Sequence, residues 1–293
     1  MWYFKEYERE EGLINEGKSK PRRISFERIY LPIEKYRNMN GNFFKKWNKL
    51  MTKVTIKDNG FVEDEDDALI VDFANKYLGG GVMNKGYVQE EILFWDFPEL
   101  IMSAFICEKL QDYEAISIVG ARKTGPFDDF SCLDDHKRID RTFIAIDALC
   151  LYRFRQMMDQ FYEDDTLREL KKAYIGFIGD SKEESKEGPK AVSTGRWGWG
   201  AFNGNAELKF LIQWIACSLH KRKMIFHTFD HKDCKNLEKL VLIFTGMTVG
   251  DTYSDLIEFR KHLTKMEKLD KLYYKPERMQ FLLSDFLLMK YKI

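Results

Sequence analysis

Three consecutive glycines, Gly79, Gly80 and Gly81, stand between a short apolar run at 68–73 and a helically spaced stretch that opens on Gln89, Glu90 and Glu91. Glycine loses more backbone entropy on folding than any other residue, so a triplet persists in a compact chain only where the backbone turns tightly or approaches something closely. The run before it, Ala-Leu-Ile-Val-Asp-Phe, is nearly continuous in apolar residues, as a strand buried on both faces requires. The local order is therefore strand, tight turn, helix. A glycine turn leading into a helix start is also a common way to offer backbone N–H groups to phosphate. Two adjacent carboxylates at that start place titratable acids beside the anion site, which points to chemistry on a phosphorylated ligand.

The remaining strands and helices fall into the same alternation. Residues 24–31, 115–121, 142–149, 172–179 and 223–229 read as further strands. Helices are expected over 40–53, with Phe43, Phe44, Trp47 and Leu50 on one face, over 153–162, and over 205–221. The helix over 89–110 is expected to kink or split at Pro98. The acidic run 63–67 reads as a solvated loop, and the charged, weakly hydrophobic tract 181–190 as a mobile one. A second glycine-rich turn spans 194–204, and the chain after 229 reads as helical. Strands alternating with helices, with glycine-rich turns at their ends, give an α/β fold whose ligand lies between the two turns.

With 293 residues the chain is long enough for one large domain with decorations or for two small ones. Its 47 basic residues balance 47 acidic ones, so no direct nucleic-acid or anionic-membrane partner is expected. The basic patch at 18–23 reads as a solvated turn in preference to a nuclear localisation signal. No signal peptide or membrane-spanning run is recognised. Five scattered cysteines, odd in number and without CxxC spacing, suggest free thiols in a reducing compartment, hence an intracellular protein, cytoplasmic or nuclear.

Simpler explanations compete for each motif. Gly198, Gly200 and Gly204 do not have the spacing of a dinucleotide fingerprint and come late in the chain, so a Rossmann oxidoreductase is a poor reading. Acids in a first helical turn offset the helix dipole, worth about 0.3–1 kcal/mol, which alone accounts for Glu90 and Glu91. Adjacent helical residues point about a quarter turn apart, so only one of the two is expected to face the glycine turn squarely. Mutual repulsion and burial raise a carboxylate pKa while a helix N-terminus lowers it, and the two effects oppose each other here. His227, His231, Asp230 and Cys234 are zinc-ligand types, but His227 falls in an expected strand, so no metal and no cofactor is expected. The aromatic residues read mostly as core, with Trp197 and Trp199 as exceptions because they flank flexible glycines.

The glycine triplet followed after seven residues by Gln89-Glu90-Glu91 resembles the signature of the poly(ADP-ribose) glycohydrolases. The similarity extends over about residues 24–255, through Ser25 to Arg28, Val71 to Asn75, Pro98 to Leu100, Ile144 to Leu149, Lys172 to Tyr174 with Gly176 and Phe177, Thr194 and Gly195 with Trp197, Gly200 to Phe202, and Thr228 with Phe229. The resemblance implies a macrodomain-like three-layer α/β sandwich with a mixed sheet, the core over 66–260, a short extension before it over 1–65 and a helical one after it over 261–293. It implies Glu91 as acid/base catalyst and Glu90 as orienter of the scissile ribose. Asp72, Asn75 and Gln89 would fix that sugar, Gly79, Gly80, Gly81 and Val82 would lie along the diphosphate, Phe202 would back the second ribose, Phe229 would stack on adenine, and Gly200 and Ala201 would also contact the substrate. The implied partner is poly(ADP-ribose) or an ADP-ribosylated protein.

The second turn departs from the family pattern. Arg196 stands for an asparagine, Trp199 for a cysteine, Asn203 for a glycine and Asn205 for an aspartate. Arg196 is placed to clamp phosphate, or Trp199 to narrow the cleft. The usual tyrosine-rich clasp is replaced by 123–130, which holds Phe127 and Phe130 but no tyrosine, and the accessory region before the core is short. These departures keep three readings in competition: cleavage of ribose–ribose bonds, an inactive reader of ADP-ribose or component of an assembly, and hydrolysis of another ADP-ribosyl bond.

Overall fold

The computed structural model describes residues 8, 11–12, 14–17, 23–123, 141–151, 159–179, 188–268 and 283–292. Seven strands form one sheet: β1 (Ser25–Tyr30), β2 (Val54–Lys57), β3 (Ala68–Asp72), β4 (Glu114–Val119), β5 (Thr142–Ala145), β6 (Ala191–Thr194) and β7 (Met224–His227). Their spatial order is β1-β4-β5-β3-β6-β7-β2. From β5 to β2 every pairing is parallel, whereas β4 runs antiparallel to both β5 and β1. The sheet is therefore mixed, and its central strands are parallel.

Both faces of the sheet are apolar because side chains alternate along each strand. Leu69, Val71, Ile144 and Ile146 point into one cluster, and Ile70, Phe143 and Ala145 into the other. The larger cluster receives α5 (Glu163–Gly176) and α6 (Ala206–Leu219), followed in the chain by α7 (Leu237–Phe244), α8 (Val249–Lys268) and α9 (Leu283–Tyr291). The smaller receives Leu93, Phe94 and Phe97 from α3 (Gln89–Asp96) and the turn after it. This is the expected three-layer arrangement. Residues 1–65 contribute two outer strands, β1 and β2, together with α1 (Ile33–Asn38) and α2 (Gly41–Lys45).

Several expectations are corrected. The strand expected at 172–179 is the C-terminal half of α5. Asp164 and Asp165 sit in its first turn, and Leu167, Leu170 and Ala173 line its buried face at helical spacing, a period that a short window cannot reveal. The helix expected over 40–53 stops at Lys45. Asn40 caps its start, accepting from the N–H groups of Asn42 and Phe43, but the chain then bonds outward. The carbonyls of Trp47 and Lys49 accept from Gly250 and Val249 at the start of α8, and Met51 donates to Met247. Leu50 is accordingly exposed, although Phe44 is buried. The acidic run is not a wholly solvated loop, since Val62–Asp64 forms a 3₁₀ turn with Glu63 buried. The strands β2 and β6 were not expected; each has four residues, too few for a clear alternation.

The stretch from 89 onward does split at Pro98, into α3, a 3₁₀ turn at Pro98–Ile101 and α4 (Met102–Ile106). The expectations for 18–22, 124–130, 152–158 and 180–187 lie outside the described residues.

A buried ion network joins α5, α6 and the end of β5. Lys172 pairs with Asp147 at 2.8 Å, Arg168 with Asp147 at 2.5 Å and with Glu169 at 2.6 Å, and Lys209 with Glu169. Burial pushes the Lys209 ammonium well below its ordinary pKa. Removing one partner from such a group leaves an uncompensated buried charge. Glu169→Ala is expected to lower stability by about 3–5 kcal/mol in urea unfolding, and Glu169→Met with Lys209→Met to recover much of that loss.

Candidate functional site

The C-terminal ends of β5, β3, β6 and β7 open on one side of the sheet, and the chain leaving them lines a cavity of about 540 Å³. One wall is the glycine turn and the start of α3. Both carboxylates reach that turn. Glu90 accepts from the N–H groups of Gly79 at 2.6 Å and Asn75 at 2.9 Å, and Glu91 from those of Gly81 at 2.8 Å and Val88 at 2.9 Å. The expectation that only one would face the turn is thus overturned, because the turn wraps around the helix start and presents different amides to each side chain.

The turn leaves no room for side chains. A Cβ at Gly80, whose φ is +45°, would lie 2.6 Å from Glu90 Oε2 and 2.8 Å from Glu91 Oε1. A Cβ at Gly86 would lie 2.5 Å from Glu91 Oε1 and 2.8 Å from the Gly81 Cα. The turn's other amides are also engaged: Gly80 donates to the Tyr77 carbonyl and Val82 to that of Gly79. The amides expected to meet phosphate therefore bond within the turn and to its own carboxylates.

Behind this wall lies Asp72, the last residue of β3, fully buried and with neither carboxylate oxygen hydrogen-bonded among the described residues. Burial, and then the Glu91 carboxylate, push the Asp72 pKa well above the ordinary range. Burial, and then Asp72, do the same to Glu90 against the opposing pull of its two N–H donors. Gln89 ties α3 to the strand end. Its Oε1 accepts from the Phe73 N–H at 2.8 Å, and its Nε2 donates to the Val71 carbonyl at 3.2 Å. Asn75 uses its Oδ1 to accept from Tyr77, at 3.1 Å.

The opposite wall is the second glycine-rich turn. Trp197, set apart from the core in the sequence reading, is fully buried. Its indole N–H donates to the Ile146 carbonyl at 2.9 Å, and the Lys209 ammonium lies 4.9 Å from its ring. Trp199 is half-buried, edge-on to His231 at 5.1 Å. Gly200, Ala201 and Phe202 form a 3₁₀ turn on the cavity. Phe229 closes the far end with φ +54°, a left-handed conformation rare for an aromatic residue, beside Phe61 at 6.0 Å. The Arg196 guanidinium carbon lies 5.6 Å from the ring centroids of both Trp199 and Phe229.

The structure thus gathers Asn75, Gly80, Gly81, Gln89, Glu90, Glu91, Arg196, Trp199, Gly200, Ala201, Phe202 and Phe229 around one cavity, with Asp72, Gly79 and Val82 set behind its surface. Sequence reasoning missed Phe61, Glu63 and Tyr87, which also line it. Glu63 was hidden within an acidic run, where nothing distinguishes the one buried carboxyl from its solvated neighbours. His227 lies within β7, 3.4 Å from Glu65. Among the described residues no group of three His, Cys, Asp or Glu side chains is placed to hold a metal.

A mixed sheet between apolar layers, with an acid-lined cavity at its parallel strand ends, is an α/β domain of macrodomain type. The sequence model for the family described as "Poly (ADP-ribose) glycohydrolase (PARG), Macro domain fold" matches residues 42–236. The chain belongs to this poly(ADP-ribose) glycohydrolase family. It is 30% identical to poly(ADP-ribose) glycohydrolase 1 of Arabidopsis thaliana, over 80% of this chain and 56% of that protein. It is 33% identical to poly(ADP-ribose) glycohydrolase 2 of Caenorhabditis elegans, over 77% of this chain and 50% of that protein. The chain therefore spans about half the length of these curated relatives. A similar solved structure is a mutant of the Deinococcus radiodurans glycohydrolase in complex with ADP-ribose, with 11% identity, a TM-score of 0.45 and coverage of 74% of this chain and 95% of that one.

The pKa directions fix a pH dependence of stability. An unfolded aspartate ionises near pH 4, whereas folded Asp72 holds its proton to about pH 8. The folded state binds the extra proton between those values, so this group's contribution makes stability fall as pH rises through the window. Asp72→Asn is expected to gain stability relative to wild type from pH 4 to 8, by up to about 1.4 kcal/mol per pH unit, in chemical unfolding measured across that range.

Proposed function

We propose that this chain hydrolyses the ribose–ribose glycosidic bonds of poly(ADP-ribose), releasing ADP-ribose. The observation that carries the reading is the Glu91 carboxylate on the cavity wall, oriented through both oxygens by the N–H groups of Gly81 and Val88. In this reading Glu91 protonates the departing 2′-oxygen as the bond to the anomeric carbon breaks. It then removes a proton from the water that attacks the oxocarbenium-like centre, which returns it to its starting state.

The other residues position the ligand. Burial keeps Asp72 and Glu90 protonated near neutral pH, so Glu90 meets a ribose hydroxyl as a neutral carboxyl. Asp72, Asn75 and Gln89 shape the same sugar subsite, with Gln89 fixing the start of α3 against β3. The diphosphate lies along the turn formed by Gly79, Gly80, Gly81 and Val82, approaching it at Gly80 and Gly81, which reach the cavity surface and carry no side chain. Gly200, Ala201 and Phe202 back the second ribose, and Phe229 stacks on adenine, with Glu63 as an acceptor in the same cavity. The proposal takes 66–260 as the catalytic core, 1–65 as an extension that supplies outer strands and 261–293 as a helical extension. Four free cysteines among the described residues favour a reducing, intracellular compartment.

One observation favours a second reading, a weakly active or inactive macrodomain that binds ADP-ribose, on its own or within an assembly. Arg196 packs against the ring assigned to adenine. Release of ADP-ribose from purified poly(ADP-ribose) separates the two. Wild type is expected to release it, and Glu91→Gln to slow release by about 10²–10⁴-fold while folding normally. Absence of release by folded wild type, with ADP-ribose binding retained, selects the second reading. Phe229→Ala is expected to weaken ADP-ribose binding by about tenfold in calorimetry.

A further inference from the structure

We propose that Arg196 is the phosphate anchor of the cavity, a guanidinium stacked between Trp199 and Phe229 so that its N–H donors face an anionic nucleotide. The proposal rests on the reading of the cavity as an ADP-ribose site and names the residue that compensates the ligand's negative charge there.

Three observations converge on it. Among the described lining residues Arg196 is the sole cationic side chain, against the carboxyls of Glu63, Glu90 and Glu91. A diphosphate entering such a cavity requires a positive partner, and the glycine turn does not provide free donors. Its amides at Gly79, Gly80, Gly81 and Val82 already serve Glu90, the Tyr77 carbonyl, Glu91 and the Gly79 carbonyl. Finally, the Arg196 guanidinium makes no hydrogen bond or ion pair among the described residues, although it is half-buried.

Its contacts are aromatic. The guanidinium carbon lies 5.6 Å from the Trp199 and Phe229 ring centroids. Packing against ring faces holds the planar group in place while leaving its N–H donors available. Those donors form a fork that matches two phosphate oxygens. The bracket is itself held, since Trp199 packs edge-on to His231 and the Phe229 backbone is set in the left-handed region. A lysine placed here would carry the charge but could neither stack as a plane nor present a fork.

Calorimetric titration of the folded chain with ADP-ribose, ADP, pyrophosphate and adenosine, at low and high salt, tests this. Arg196→Ala is expected to weaken ADP-ribose and ADP by about tenfold or more, to leave adenosine within about twofold, and to flatten the salt dependence. Arg196→Lys is expected to restore only part of the loss. Unchanged or tighter ADP-ribose binding by Arg196→Ala would overturn the proposal, making the arginine an obstruction over the Phe229 ring. Wild type that binds ADP and pyrophosphate in an Arg196-dependent way but not ADP-ribose would sink the glycohydrolase reading and leave the anchor standing. Wild type that is folded yet binds none of these ligands would overturn both.

Discussion

Four backbone N–H groups, those of Asn75, Gly79, Gly81 and Val88, converge on the carboxylates of Glu90 and Glu91, and the form of the first wall follows from that convergence. Each carboxylate oxygen satisfies a donor that the turn or the helix start would otherwise leave unpaired. The turn can close this tightly because Gly80 and Gly86 carry no side chain that would meet the acids. The result inverts a familiar arrangement: the glycine turn spends its N–H groups on the protein's own acid side chains instead of leaving them open to the cavity. Burying Asp72 behind the same pair makes protonation part of the native state, not an accident of exposure.

The second wall is held by other means. Thr194 donates to Gln213 at 2.5 Å, Gln213 returns a bond to the Gly195 carbonyl at 3.1 Å, and Trp197 reaches across to Ile146. These side chains root the turn in α6 and in the chain just after β5, independently of the residues farther out. Arg196 and Trp199 occupy that outer part. They line the cavity across from Glu91 without touching the hydrogen bonds that hold it.

The sequence was most legible where one local rule decided the outcome. The apolar run of β3, the glycine turn, the break at Pro98 and the capped start of α6 at Asn205 each follow from residue chemistry within a few positions. It was least legible where a distant partner decided. The end of α2 is set by carbonyls bonding to α8, two hundred residues away in the chain. The strand mistaken within α5 contains Lys172, whose full burial makes sense only beside Asp147. In the site, the signature identified the acids but not their mutual geometry, because a quarter-turn separation on a helix says nothing of a loop that wraps both sides. Glu63 and Phe61 were missed for a related reason: the turn at 62–64 is held by Ser193 of β6 and by Arg141, which donate to its carbonyls, and Phe61, itself exposed, lines the cavity only because it meets Phe229.

The pairing of β2 with β7 carries a consequence for the order in which this molecule is built. Thr228 donates to Asp58 at 2.6 Å across 170 positions, and Phe61 and Phe229 meet at the same corner. Closing so long a loop carries an entropic cost, and contacts this distant in sequence form slowly. During synthesis from the N-terminus, Glu90 and Glu91 can settle against their turn long before residue 229 is made. The aromatic end must wait for nearly four-fifths of the chain. The two walls of the cavity thus differ in when they can form: the acids have their partners within about fifteen residues, whereas the aromatic end waits for most of the sequence.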